Sequence, residues 1–479
     1  MNSIPQDSGN TPPAPKPIKG SVPNPETSEA AALWADCPYL RPSDHAAWLR
    51  HFINVEINLT RLQAGWVPAT GKLEWKLWVP GIFFEDMQHA RRLRERLEEM
   101  PRPKTGVTDT EAGLAGFFAA IAPAGHAATF FRVLHAVVKP ALAAAYEAYA
   151  GKCDDILDAP ILYTLRGIMA EKRRQRGEAE AFFENMAFPA ADETAADYQR
   201  HVETCLAALG TLTPEYRRGG VMPVTPVARP AGPSPAKTVH DPDLWLAEPD
   251  RFPSDRKENP FASTLQEIIY HNATEWQVVG PMCYVLHDAP AMPFEFYVDF
   301  SRHIWDECRH SLMGLRRLRE LGFKREDFRF PNGGDKPVSP EDYMAALTLV
   351  GEACSFGRKR GSIIPFLRQR DFRSAMLPEV DCNDERLHVA YGHQWVPELY
   401  LRSRGDQRSL KQISDDVRRA FVGSLEKLKT ASEEERRAIL ANLPTLCSTI
   451  EFAHLNFEAN AGPVAGDPPV EERSKGVAT

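Results

Sequence analysis

The sequence predicts an all-α chain of two helical halves, and three observations lead there. Apolar residues recur at alternating spacings of three and four over long stretches, with few of the alternations that mark strands. In two stretches, acids and histidines sit inside such an apolar stripe rather than opposite it. A connector rich in proline, with Pro223, Pro226, Pro230, Pro233, Pro235, Pro242, Pro249 and Pro253, separates the halves. At 479 residues, 43% hydrophobic and 25% charged, the composition is that of a globular chain with room for two or three domains.

Residues 1–28 are rich in Pro, Ser, Asn and Gly and are expected to be disordered. Residues 29–210 read as helices rich in Ala, Leu, Glu and Arg. Within them Ala112 to Phe131 is the best membrane candidate, but Pro123, His126 and Thr129 interrupt it, so it reads as a buried helix pair. Residues 211–262 form the connector, parts of which are expected to pack on a domain. Helical patterning resumes over 263–403, a charged helical extension covers 404–457, and a disordered Gly/Pro/Glu tail covers 458–479. A net charge of −8 speaks against nucleic-acid or anionic-membrane partners. The start, Met1-Asn2-Ser3-Ile4-Pro5, has no secretory pattern, and the eight cysteines form no CxxC, so a reducing cytoplasm is expected.

The helix around Glu307 is the clearest, with Pro293 suited to its first turn and Gly322 to its end. Its stripe runs Phe296, Phe300, His303, Glu307, His310, Gly314, and a later helix repeats the pattern as Glu385, His388, Gly392, Trp395, Leu399. In both, a glycine four residues after the histidine would admit a neighbouring helix or a small ligand. Ser339-Pro340-Glu341-Asp342 caps a third helix leading to Glu352, and Ile268, His271, Glu275, Val278 and Met282 stripe a fourth. Glu275 precedes Glu307 by 32 positions and Glu352 precedes Glu385 by 33.

Glu and His three apart share one helix face and can reach one metal. Four helices therefore offer Glu275, Glu307, His310, Glu352, Glu385 and His388 as ligands of a dinuclear site, and four carboxylates neutralise two divalent ions. Glu267 is the alternative to Glu275, at the expense of the matched interval. Without metal, four core acids would repel one another and lose hydration. Oxygen and nitrogen donors without thiolate favour iron or manganese over zinc or copper. Asp306 and Asp384, each four before its histidine, can accept the outer imidazole N–H, and Arg309 can pair with Asp306. His271 and His303 lie on ligand faces and read as core or supporting histidines. Cys308 and Cys354 read as packing residues, and the third E-x-x-H, Glu451 to His454, as a chance match.

Asp306-Glu307-Cys308-Arg309-His310 resembles the D-E-x-R-H element of bacterial multicomponent monooxygenase hydroxylases, within the ferritin-like superfamily of di-iron carboxylate proteins. Asp384-Glu385-Arg386-Leu387-His388 resembles it too, without the arginine. The resemblance covers residues 263–403. It implies two ferritin-like four-helix bundles in tandem, the second with six ligands holding two irons (manganese, or one of each, being the alternatives) that activate dioxygen. In the first half, Glu56 and Asp86-Met87-Gln88-His89 look like a worn copy, in which Arg174 of Glu171-Lys172-Arg173-Arg174 replaces the second histidine and Val138 the lone Glu. A metal-free bundle is expected there.

The function expected is a di-iron oxidase or oxygenase acting with O₂ on a small organic or peptide substrate, fed by a separate electron donor. The chain shows no flavin, dinucleotide or iron–sulfur signature. The alternatives are a non-catalytic metal-stabilised scaffold and a ferroxidase or iron-handling protein.

Overall fold

The computed structural model describes residues 37–100, 110–185, 193–224, 236–244, 272–324 and 332–441, with a few isolated positions beside them. All regular structure among them is helical. Helix α1 is Pro42–Trp66, α2 Leu73–Glu98, α3 Ala112–Ile121, α4 Ala127–Ala150, α5 Ala159–Asn185 and α6 Glu193–Leu209. After the connector come α7 Trp276–Asp288 and α8 Phe294–Glu320. Helix α9 is built of Pro340–Ala346, Leu347–Glu352 and Ala353–Arg368, and α10 Phe372–Arg404, α11 Leu410–Leu428 and α12 Glu433–Ala441 follow.

Helix ends follow local chemistry. Ser339 accepts from the Asp342 N–H at 3.1 Å and Pro340 opens α9, as its sequence predicts. Asp371 accepts from the Ser374 N–H and starts α10, which ends at Gly405 with φ of 67°. Gly322, at φ of 90°, stops α8, whereas Pro293 stands just before the helix rather than in its first turn. Two helices widen by one residue into π-helical turns, α4 at Leu134–Val138 and α9 at Leu347–Glu352.

In the first half α1 packs on α2, and α5 packs on α2 and α4. Aromatic stacking ties α1 to α4, with Phe52 on Tyr146 at 4.3 Å and Trp48 on Tyr149 at 4.8 Å. In the second half α7 packs on α8 and α9, and α10 on α8 and α9, while α11 lies against α9. The halves meet along α2 with α8 and α1 with α7. Phe84 stacks on Trp305 at 4.5 Å, and these residues stand two before Asp86 and Glu307, so equivalent positions meet as across a two-fold axis. Arg61 donates to the carbonyls of His287 and Ala289 at 2.8 and 2.9 Å.

Part of the connector is packed. Buried Asp241 accepts from the Leu73 N–H at 2.9 Å, capping α2, and its own N–H donates to Asn332. The apolar stretch after Ala112 is a helix pair, since α3 ends at Ile121 and α4 begins at Ala127. Helix α4 is long and apolar enough to cross a membrane, but 56% of that window is buried inside the fold, and it carries Lys139 and His135 inward.

Two expectations are corrected. The helix expected to run through Ile268, His271 and Glu275 has a turn at Thr274 and Glu275, and α7 starts only at Trp276. Cys308 is buried as expected, donating to the Lys76 carbonyl, but Cys354 is exposed, beside Arg418 of α11. His271, Glu267, the Glu451–His454 match, residues 1–28 and the 458–479 tail lie outside the described residues.

Candidate metal centre

The six ligands read from the sequence fall into two touching groups in the core of the second half, and each group gains a fourth member. One holds His303, Glu307, Glu352 and His388; the other holds Glu275, His310, Asp381 and Glu385. Within each, one donor atom per residue lies within 4.8 Å of the others, and all eight residues are buried. The groups adjoin through His388, whose Nδ1 stands 3.3 Å from Glu307 and 3.4 Å from Glu385.

Helix α8 supplies His303, Glu307 and His310; α10 supplies Asp381, Glu385 and His388. Both read acid-or-imidazole, then Glu four later, then His three later, then Gly four later, which stacks all four on one face. Glu352 ends the π-helical turn of α9, and Glu275 comes from the turn before α7. Both carriers are thus irregular backbone, a common feature of functional sites.

The glycines explain how these carriers come so close. A Cβ on Gly314 would lie 2.3 Å from the Ala273 backbone nitrogen, two residues before Glu275. A Cβ on Gly392 would lie 2.2 Å from Thr348 Oγ1, four residues before Glu352. Of the two uses expected for these glycines, it is the neighbouring segment that they admit, through its backbone at Gly314 and through the Thr348 side chain at Gly392.

Outer partners hold the histidines. His310 Nε2 faces Asp384 at 3.1 Å and His388 Nε2 faces Asp306 at 3.4 Å, each across to the other helix. Asp306 also accepts from Arg302 at 2.7 Å and from Arg309 at 2.8 Å, and Arg309 bridges on to Asp384. Burial would push Asp306 up, but His388 and these arginines hold it well below the usual carboxylate range. With each Nε2 turned to an outer acid, Nδ1 of both histidines points into the cluster, and the surrounding carboxylates raise both imidazoles well above their ordinary range despite burial.

What the groups lack is also informative. Glu275 Oε2, Glu307 Oε1, Glu352 Oε2, Glu385 Oε2, His303 Nδ1, His310 Nδ1 and His388 Nδ1 are buried and outside hydrogen-bond geometry, although His310 Nδ1 and Glu275 Oε2 stand 2.9 Å apart as an ion pair. Burial, then the Asp381 carboxylate, push Glu275 up to about 8, and burial, then Glu385, push Glu352 up. Glu307 is held at about 2, because His303 and His388, 3.5 and 3.3 Å from its Oε1, outweigh its burial. Such a donor set, oxygen and imidazole nitrogen without sulfur, fits hard or borderline divalent ions.

One cation is already inside. Lys359, 2% exposed and seven residues after Glu352, places Nζ 2.6 Å from Asp381, 2.6 Å from Glu385 and 3.2 Å from Glu275. Sequence reasoning missed Lys359 and Asp381, and it set His303 outside the ligands although its Nε2 is 2.7 Å from Glu352 and 3.5 Å from Glu307. Asp381 was legible, since it precedes Glu385 by the same four positions that separate His303 from Glu307. Lys359 had only its two-turn spacing from Glu352 as a signal.

The first half gathers the matching cluster. Glu56, Asp86 and His89 are together and fully buried, with His89 Nδ1 3.7 Å from Glu56. Arg174 is not the residue that replaces the second histidine. It is half exposed and pairs with Glu85 at 2.6 Å and Glu178 at 2.7 Å. His89 Nε2 faces Glu171 at 3.0 Å, as His310 faces Asp384, so Glu171 occupies the outer position and the register shifts by one. Lys172 then stands where Glu385 does, Gln175 where His388 does, and Lys139 rather than Val138 where Glu352 does, 32 before the outer acid in both halves. Lys172 Nζ lies 2.7 Å from Glu56 and 3.6 Å from Asp86, and Lys139 Nζ 2.7 Å from Asp86. Two ammonium groups thus neutralise two carboxylates in a place where ions would otherwise be needed.

A cavity of about 1040 Å³ lies between α2 and α8, lined by Leu77, Trp78, Phe84, Trp305, Leu312 and Leu315 among others. It sits on the opposite face of α8 from the clusters, and none of their eight side chains lines it.

Residues 215–442, just under half of the chain, match a family described as "Protein of unknown function (DUF455)". The matched stretch contains the second half with both four-residue groups. No curated protein and no solved structure matches the chain.

Two outcomes follow. Lys172→Met leaves Glu56 buried without its main counter-charge and should destabilise by about 3–5 kcal/mol in denaturant titration at neutral pH. In the native protein burial raises Glu56, and Lys172 together with His89 more than offsets this and holds it below its ordinary range. In the variant burial and the Asp86 charge face only His89 and the Tyr146 hydroxyl, so the folded pKa of Glu56 rises and the loss should shrink as pH falls and Glu56 protonates. Gly392→Ala drives a methyl into Thr348, whose hydroxyl donates to the Met344 carbonyl at 2.9 Å. A loss of about 1–3 kcal/mol is expected from such overpacking, with weakened metal uptake measured by dialysis; unchanged uptake would separate the π-helical turn from the site.

Proposed function

We propose that the chain is a metal-dependent oxidoreductase of the di-iron carboxylate type, built as two ferritin-like four-helix bundles in tandem. The observation that carries this reading is the convergence of three histidines and five carboxylates in two buried groups that touch through His388. Glu307, Glu352, His303 and His388 would hold one ion, and Glu275, Glu385, His310 and Asp381 the second. Bound iron would supply electron transfer to dioxygen, with electrons from a separate donor and a small organic or peptide substrate to oxidise.

The chain's own residues do the rest. Asp306 and Asp384 keep the Nε2 protons of His388 and His310, so each Nδ1 stays a donor. Arg302 and Arg309 keep Asp306 ionised. The apolar packing of Phe296, Phe300 and Trp395 beside His303 keeps bulk water from that end of the site.

A non-catalytic, metal-stabilised scaffold is the second reading, favoured by Lys359 and by a cavity that lies away from the clusters. One experiment separates the two. The full chain, loaded anaerobically with Fe(II) and mixed with O₂, should give an optical transient and oxygen consumption above that of free iron, both lost in Glu307→Ala. A scaffold would bind metal, lose melting temperature in Glu307→Ala, and consume no oxygen above the free-iron control. Metal affinity should rise with pH, because binding must displace the proton that burial and Asp381 keep on Glu275 and those that the neighbouring carboxylates hold on His310 and His388.

A further inference from the structure

The two metal groups are not equivalent, and the difference is one side chain. In the His303, Glu307, Glu352, His388 group no lysine or arginine nitrogen is within ion-pair distance of Glu307 or Glu352 among the described residues. In the other group the Lys359 ammonium contacts three of the four members. It is not a stray surface side chain, since Lys359 is buried on α9 and Asp381, which it pairs with, also accepts from Asn272 at 3.1 Å.

We infer that Lys359 is an internal competitor for the second metal, so that the centre loads unequally: the first divalent ion enters the His303, Glu307, Glu352, His388 group, and the second must displace the Lys359 ammonium from Glu275, Asp381 and Glu385. The inference rests on the metal-binding reading above and adds an order and a selectivity to it. The first half shows the same device carried to its end. There Lys139 and Lys172 stand at the positions of Glu352 and Glu385, and both cation places are filled by ammonium groups. The second half keeps one such lysine, at a different position of its third helix. An ammonium 2.6 Å from two carboxylates both screens their charge and repels an incoming cation, and inside a protein neither effect is diluted by water.

Manganese(II) is a suitable probe, because free ion is counted directly by electron paramagnetic resonance during titration of the full chain. The native protein should show one tight equivalent and a second weaker by about tenfold or more, a difference of about 1.4 kcal/mol or more. Lys359→Met, which keeps the length and removes the charge, should bring the two equivalents to within about threefold, tightening the second. His303→Ala should remove the tight class while His310→Ala keeps it, and this pair tests the order even if Lys359→Met does not fold. Two equal tight equivalents in the native protein, no change in Lys359→Met, or loss of the tight class in His310→Ala but not in His303→Ala would each overturn the inference. If neither Mn(II) nor Fe(II) binds the native chain, the metal reading itself fails, which is a separate result.

Discussion

A carboxylate in a helical core must have a cation beside it, and most of this architecture follows from meeting that demand. Desolvating even one ionised acid costs several kcal/mol unless an opposite charge or hydrogen bonds compensate. The second half brings five acids together, Glu275, Glu307, Glu352, Asp381 and Glu385, each 5% exposed or less. The first half brings only Glu56 and Asp86 and answers them with Lys139 and Lys172. The same packing plan thus carries two solutions to one electrostatic problem. A covalently attached cation is permanent and chemically inert, whereas a bound ion can be lost, exchanged or oxidised.

The backbone is shaped to the same end. Regular helices place side chains at fixed heights and angles, and four regular helices do not by themselves bring eight donors to two points. Here α4 and α9 each widen into a π-helical turn next to the charged residue, and Gly314 and Gly392 admit the Ala273 backbone and the Thr348 side chain where any side chain of their own would collide. The inner histidine nitrogens are then aimed by Asp306 and Asp384 from the opposite helix, so positioning is reciprocal between α8 and α10. The Phe84–Trp305 stack extends that reciprocity to the contact between halves.

Much of this was legible in the residues. Spacing alone singled out Glu275, Glu307, His310, Glu352, Glu385 and His388, and the structure brings all six into two touching groups. It also brings Asp306, Asp384 and Arg309 to the outer positions expected of them. What escaped has physical causes. His303 looked like a core residue because imidazole suits both roles, and only its 2.7 Å approach to Glu352 distinguishes them. Lysine is ordinarily a surface residue, so composition gives no warning of Lys359, Lys139 or Lys172 in a core. The one-residue register error in the first half arose because E-K-R-R offers three cations, and periodicity does not say which of them faces inward; the exposed Arg174 was chosen over the buried Lys172.

The most direct test of the account is anomalous X-ray scattering from crystals of the protein as purified from cells grown with iron and manganese, collected on both sides of each metal edge. The account predicts anomalous density among His303, Glu307, Glu352 and His388, and none among Glu56, Asp86 and His89. Density in the first-half cluster, or well-ordered side chains in both clusters with no anomalous signal in either, would contradict it.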